Sequence, residues 1–259
     1  MADENIKDLC FTKKGVLFRE FQEIFLDIFA RRSETYKKIV EALVDGDKDF
    51  SDIVSHLNMV KSGHVSEYLS HLTQSGFIRR DHTWKVQDGK ESILSRYRLS
   101  DNYLRFYLKY IDKNKNKIET KHFDDQSLST LPGFGSIMGL QFENMVLNNR
   151  EFIWKQLHVY AGDIITDNPY FQRAQLRKKG CQIDYLIQTK TNVLYACEIK
   201  FSKDEIKPDV IQQMQQKIAR FYLPRGFSIM PVLIYVNGVT DSVIESQYFS
   251  HLIDFSSLL

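Results

Sequence analysis

Apolar positions recur along the chain first at helical and then at strand spacing. Residues 16–30, VLFREFQEIFLDIFA, set Leu17, Phe18, Phe21, Ile24, Phe25, Ile28 and Phe29 on one side of a helix. Charged and polar residues fill most of the other side, which predicts an amphipathic helix. Its wide Phe-rich stripe either packs on the domain that follows or forms a docking surface for a missing domain or a second subunit. Ser33 fits an N-cap for a helix through Leu43, with Tyr36, Ile39, Val40 and Leu43 inward. A short helix is expected over Ser51 to Leu57, and a third from about Ser62 to Gly76 with Val65, Leu69 and Leu72 inward. Two extended runs, FIRRDHTWKV and ESILSRYRLS, flank the turn residues QDGK. Helix, short helix, helix, hairpin is the plan of a winged helix-turn-helix. Residues 101–122 start with a helical stripe of Leu104, Phe106, Tyr107 and Tyr110 and end in a lysine-rich solvated stretch.

Polar and Gly/Pro-bearing residues through Ser136 place a linker at 123–138. Beyond it, LQFENMVLNNREFIWKQL predicts one long helix. CQIDYLIQ and VLYACEIKF predict a hairpin across TKTN, PDVIQQMQQKIARFY a helix, and MPVLIYVNG a buried strand. Strands apolar on both faces with helices between them predict an α/β domain around a central mixed sheet. The expected division is therefore 1–30 (N-terminal helix), 31–122 (winged helix), 123–138 (linker) and 139–259 (α/β domain).

Composition narrows the class of protein without changing this division. With 259 residues, 43% hydrophobic and 26% charged, the chain has room for two ordinary globular domains. No apolar run reaches the ~18 residues of a spanning helix, and no signal-peptide core opens the chain. Cys10, Cys181 and Cys197 have no CxxC spacing, which disfavours a disulfide framework or zinc knuckle and fits a reducing cytoplasm. The net charge of +2 is unevenly spread. Residues 31–122 hold 18 Lys and Arg against 13 Asp and Glu, and the remainder 17 against 20. Any nucleic-acid contact is expected to begin in the basic part.

The residues most suggestive of chemistry are Asp184 and the triplet Glu198-Ile199-Lys200. Asp184 interrupts an apolar strand, where an unpaired carboxylate is expensive. Glu198 and Lys200 share a strand face by their spacing of two. Two carboxylates converging from neighbouring strands make a hard oxygen pocket suited to Mg²⁺ or Mn²⁺. An adjacent lysine can position water and offset charge on a phosphate. Asp184 and Glu198 share a face only if the hairpin closes through an odd-numbered loop or carries a bulge. A surface ion pair would equally account for Glu198 and Lys200.

An acidic residue, a spacer, then Glu-x-Lys on the next strand resembles the PD-(D/E)XK nuclease superfamily. That resemblance implies a restriction-endonuclease-like fold, with Asp184 and Glu198 as metal ligands, Lys200 as water-positioning base and Glu143 as auxiliary carboxylate. Gln216 and Lys217 lie where some members carry further active-site groups. More of the chain, through SETYKKIVEALVDGDKDFSDIV, YLSHLTQSGFIRR, SRYRLSDNYLRFYLKYI, GLQFENMV and ACEIKFS, resembles the C-terminal half of a group of prokaryotic AAA-type ATPases. No P-loop motif is present, so the resemblance implies no nucleotide site here. It implies instead an ATPase domain or second subunit as partner for residues 16–30.

For DNA, the candidate contacts are Lys61, Ser62, His64 and Ser66 on the third helix and Arg79, Arg80, Lys85 and Lys90 at the wing. Arg96 and Arg98 lie on its return strand, and Arg173, Arg177, Lys178 and Lys179 precede the Asp184 strand. The winged helix could also pack against protein. Two classes of function follow: a Mg²⁺-dependent endonuclease brought to DNA by the winged helix, or a non-catalytic DNA- or partner-binding module. Histidines lack HxxxH and HExxH spacing, and GxSxG is absent, so zinc and serine hydrolase chemistry are disfavoured.

Overall fold

A computed structural model describes residues 2–19, 33–58, 63–123, 127–174 and 179–258. They divide into two compact units, Met1–Arg80 with Arg96–Ile137 and Asp81–Ser95 with Met138–Leu259. Most of the 16–30 stripe, together with Lys61, Ser62, Arg177 and Lys178, lies outside the described residues.

In the first unit, α1 (Ala2–Cys10) precedes α2 (Ser33–Ala42), α3 (Phe50–His56) and α4 (Gly63–Gln74). Asp49 starts α3 with a reciprocal cap: its carboxylate accepts the Asp52 N–H at 2.9 Å, and Asp52 answers on the Asp49 N–H. α4 ends at Gly76, whose φ of +79° lets the Phe77 N–H reach back to the Leu72 carbonyl at 3.1 Å. Ile39, Leu43, Ile53, Val65, Leu69 and Leu72 are buried, on the faces their spacing predicts. The hairpin β1 (Ile78–Lys85) and β2 (Lys90–Leu99) follows, turning at Gly89 with φ +68°. Then α5 (Asn102–Phe106) runs into a wider π turn over Tyr107–Ile111, and α6 covers Lys115–Glu119. The expected linker is not featureless: Leu128–Thr130 form a 3-10 turn, and Leu128 and Leu131 are buried.

The second unit is a mixed α/β fold. Where one long helix was expected there are two, α7 (Phe134–Asn148) and α8 (Arg150–Gln156). Asn149 separates them, its amide turned back onto the Met145 carbonyl at 2.8 Å. A five-stranded sheet runs β3 (Ile164–Gln172), β4 (Cys181–Thr189), β5 (Val193–Lys200), β6 (Ser228–Tyr235), β7 (His251–Asp254) in spatial order. The first two pairings are antiparallel and the last two parallel. Between β5 and β6 lies α9 (Asp209–Arg220), and between β6 and β7 α10 (Asp241–Glu245). The arrangement is compatible with a nuclease-like α/β domain. β3 and β7, neither expected from the sequence, are the two edges.

Both sheet faces are covered, which explains the continuous apolar runs. Tyr185, Ile187, Cys197, Ile199, Val232 and Ile234 face Phe142, Val146 and Ile153. Leu186, Leu194, Ala196 and Leu233 face Val210, Met214 and Val243. Trp84 and Val86 from the hairpin tip join this second cluster. The Trp84 indole N–H donates to Gln188 Oε1 at 2.6 Å, and the Gln188 amide donates to the Val86 carbonyl at 2.8 Å. No helix among the described residues is long and apolar enough to cross a membrane.

Candidate active site

The β4–β5 hairpin pairs Tyr185 with Cys197 and Gln188 with Leu194, and closes through the three residues Lys190, Thr191 and Asn192. An odd loop keeps opposed residues on one face. Continuing the register one step sets Asp184 opposite Glu198. Asn192 takes the left-handed conformation the loop needs, at φ +60°. The far side of β4 is irregular at the same place. Asn168 pairs with Leu186 but Tyr170 with Ile183, so Pro169 alone spans Asp184 and Tyr185. Proline has no N–H for the ladder, and on an edge strand the resulting bulge re-aims the acidic side chain.

Four charged groups meet here. Glu198 is only 1% exposed. The Lys217 ammonium, from α9, donates to Asp184 Oδ1 at 2.9 Å and to Glu198 Oε2 at 2.5 Å. Lys200 Nζ stands 2.8 Å from Glu198 Oε1 as an ion pair without hydrogen-bond geometry, and that buried oxygen accepts no hydrogen bond. Asp184 Oδ2 accepts the Ile199 N–H at 3.0 Å. Two carboxylates and two ammoniums leave the cluster neutral, which allows such burial. Burial alone would lower the Lys217 pKa. The attraction of Asp184 and Glu198 and their hydrogen bonds outweigh it and hold the ammonium above the ordinary lysine range.

Lys217 is the group least prominent in the sequence reading. Its signal was present: Val210, Met214, Lys217 and Phe221 follow one another at helical spacing, and three of these four are buried apolar residues. A lysine in such a stripe demands a buried acid. Its neighbour Gln216 is exposed. Glu143 is half-buried on α7. Among the described residues no hydrogen bond or ion pair joins it to Asp184 or Glu198.

On the opposite face of β4, the Tyr185 hydroxyl donates to Asp167 Oδ2 and accepts the Trp154 indole N–H at 2.8 Å. Arg150 reaches the Asp167 carbonyl at 2.9 Å and Asn168 Oδ1 at 2.9 Å. The three cysteines are free and buried, and burial raises the thiols of Cys10 and Cys181 to about 11. None is poised as a thiolate nucleophile.

The other expected contacts scatter. His64, Ser66, Arg79 and Arg80 are exposed in the first unit. There Ser66 and Arg80 line one cavity of about 420 Å³, with Ser70, Thr73, Gln74 and Tyr97. Lys85, Arg173 and Lys179 are exposed in the second unit, and Lys85 and Arg173 line a cavity of about 540 Å³ beside Tyr170 and Tyr222. Lys90 lies 3.7 Å from Asp88. Two arginines do not fit the DNA expectation: Arg98 is buried, and Arg96 pairs with Asp47 at 3.0 Å.

No family model matches the chain. It is similar to an uncharacterized protein of Methanocaldococcus jannaschii, MJECL04, with 30% identity over 119 residues. That stretch is 46% of this chain and 25% of the relative, so the match spans a quarter of the other protein's length. Among solved structures, a repair endonuclease from Pyrococcus abyssi overlaps 43% of this chain and 44% of its own, at 13% identity and TM-score 0.30. Protein VC1899 from Vibrio cholerae overlaps 99% and 53%, at 11% identity and TM-score 0.35. At these TM-scores neither likeness carries an argument. Nothing in these comparisons supports the ATPase-derived origin expected from the sequence.

Proposed function

We propose that this chain is a DNA-binding protein whose α/β unit cleaves phosphodiester bonds with the help of Mg²⁺ or Mn²⁺. The observation that carries the reading is the meeting of Asp184 and Glu198 on one face of adjacent strands, with two lysines in reach. The donor chemistry fits: two hard carboxylates, one with a buried oxygen that accepts no hydrogen bond. Mg²⁺ commonly takes only one or two protein carboxylates and keeps water for its other positions. Asp184 and Glu198 would hold the ion. When bound, it would polarise a phosphoryl oxygen and acidify water. Lys200, 35% exposed at the rim of the cluster, is the group able to orient water or neutralise a phosphate oxygen.

DNA recognition would fall to the first unit, read as a winged helix-turn-helix. The succession of α2, α3 and α4 supports it, as does the exposure of His64, Ser66, Arg79 and Arg80. A second, binding-only reading draws on one observation: the Lys217 ammonium stands between the two carboxylates.

Plasmid nicking with Mg²⁺ or Mn²⁺ separates the two. Asp184→Ala combined with Glu198→Ala should abolish metal-dependent cleavage and leave a salt-sensitive DNA gel shift in place. Cleavage that persists in the double variant would sink the site assignment. Wild-type protein that shifts DNA but never nicks it would establish the binding-only reading.

A further inference from the structure

We infer that Lys217 is a built-in counter-ion that occupies the seat of the divalent cation, so that metal binding requires its ammonium to be displaced. This rests on the metal-site reading above and adds a control element to it. The ammonium touches both proposed ligands, at 2.9 Å from Asp184 and 2.5 Å from Glu198. A cation placed to share those oxygens would stand within a few ångströms of it, where like charges in a poorly hydrated site repel strongly. Lys200 cannot take over the role unaided: it pairs with Glu198 Oε1 alone, leaving Asp184 to Lys217 and one backbone N–H.

The side chain has somewhere to go. Lys217 is 28% exposed, unlike Glu198, so its long stem can carry the charge outward. The same contact has a structural use. Without metal, two carboxylates facing one another in a covered sheet face would repel, and Lys217 bridges them while Lys200 supplies the second balancing charge. The protein is thus folded in metal-free form at the cost of weaker metal affinity. Ion binding is then an exchange of one cation for another, set by local metal concentration.

The test measures Mn²⁺ binding by isothermal titration calorimetry, and thermal melting in EDTA and in Mn²⁺, for the wild type, Lys217→Met and Lys217→Gln. The glutamine keeps an amide donor and guards against a methionine variant that fails to fold. Both substitutions should tighten Mn²⁺ binding about tenfold or more. They should lower the melting temperature in EDTA and gain more from Mn²⁺ than the wild type does. Adding Glu198→Gln should erase the gain. Equal or weaker Mn²⁺ binding in the Lys217 variants overturns this inference and leaves the metal-site reading standing. A gain that survives Glu198→Gln also overturns it, because the added affinity would arise elsewhere. If no form binds Mn²⁺, the metal-site reading falls first and the counter-ion role falls with it.

Discussion

At the scale of single residues, Glu198 and Arg105, the two most deeply buried charged groups among the described residues, are each held by several polar partners. Arg105, in the motif DNYLRF, is 2% exposed. Its guanidinium donates to the Val44 carbonyl at 2.7 Å, the Leu43 carbonyl at 3.3 Å and the Leu99 carbonyl at 2.7 Å. It thereby ties the end of α2 to the end of β2, and Asp101 of the same motif caps α5 by accepting the Leu104 N–H at 2.7 Å. The motif is thus explained by architecture. Arg105→Met, which keeps volume but strands these carbonyls, should cost about 3 kcal/mol in urea unfolding. A loss within experimental error would show the carbonyls find water. Asp112 gives a pH signature in the same unit. Burial pushes its pKa up, but the Lys37 ammonium at 2.8 Å and the Lys115 ammonium at 2.9 Å win and bring it below its ordinary 3.8. A depressed carboxyl contributes stability that is present above its unfolded pKa and lost as pH falls through the folded one. Asp112→Asn should therefore cost ~1 kcal/mol or less at pH 7, the size of a partly exposed ion pair. The difference should begin to shrink near about pH 4 and vanish only once pH has fallen below the depressed folded-state pKa. A difference unchanged from pH 7 to pH 2 would disprove it.

At the scale of elements, the turn between β4 and β5 decides whether a site exists. Its three-residue length sets the register, and Asn192 supplies the one left-handed residue. Asn192→Val should destabilise by about 1–2 kcal/mol in thermal or urea unfolding, whereas Asn192→Gly should be close to neutral. Equal effects would mean that the loop relaxes into another turn. Periodicity made legible the buried faces of α2 and α4, the strands β4, β5 and β6, and the shared face of Glu198 and Lys200. It also framed the register condition that the odd loop meets. What stayed illegible has physical causes. β3 carries Thr, Asp, Asn and Pro, because an edge strand with a bulge need not alternate cleanly. β7 is four residues long, below the reach of a period-two pattern. The break at Asn149 is a side-chain-to-backbone choice that apolar spacing does not record. Lys217 was readable as a matching position, but its place between the acids depends on how α9 crosses the sheet, a tertiary fact.

At the scale of the whole molecule, the boundary between the two units does not follow the chain in one cut. Residues 81–95 lie within the first unit's stretch of sequence but belong to the second unit's core. There Trp84 is 4% exposed and Val86 5%, and Gln188, 1% exposed, finds both of its hydrogen-bond partners on the hairpin tip. Asn168 adds a further tie, its amide donating to the His82 carbonyl at 3.1 Å. A fragment cut at 139–259, where composition alone would divide the chain, keeps Gln188 and Asn168 but lacks Trp84, Val86 and His82, their partners. It loses the burial of one tryptophan, about 3–5 kcal/mol, and leaves a buried amide unsatisfied at about 1–3 kcal/mol more. That sum is comparable to the whole stability of an ordinary domain. The fragment 139–259 should therefore melt without a cooperative transition, or aggregate. Joining residues 78–99 to its N-terminus through a flexible linker should restore a cooperative melt and a blue-shifted Trp84 emission, read against a Trp154→Phe background. The same joined fragment carrying Trp84→Ala should lose that restoration. Cooperative melting of 139–259 by itself, at the temperature of the same unit in the full chain, would instead show that the sheet completes its core without the hairpin.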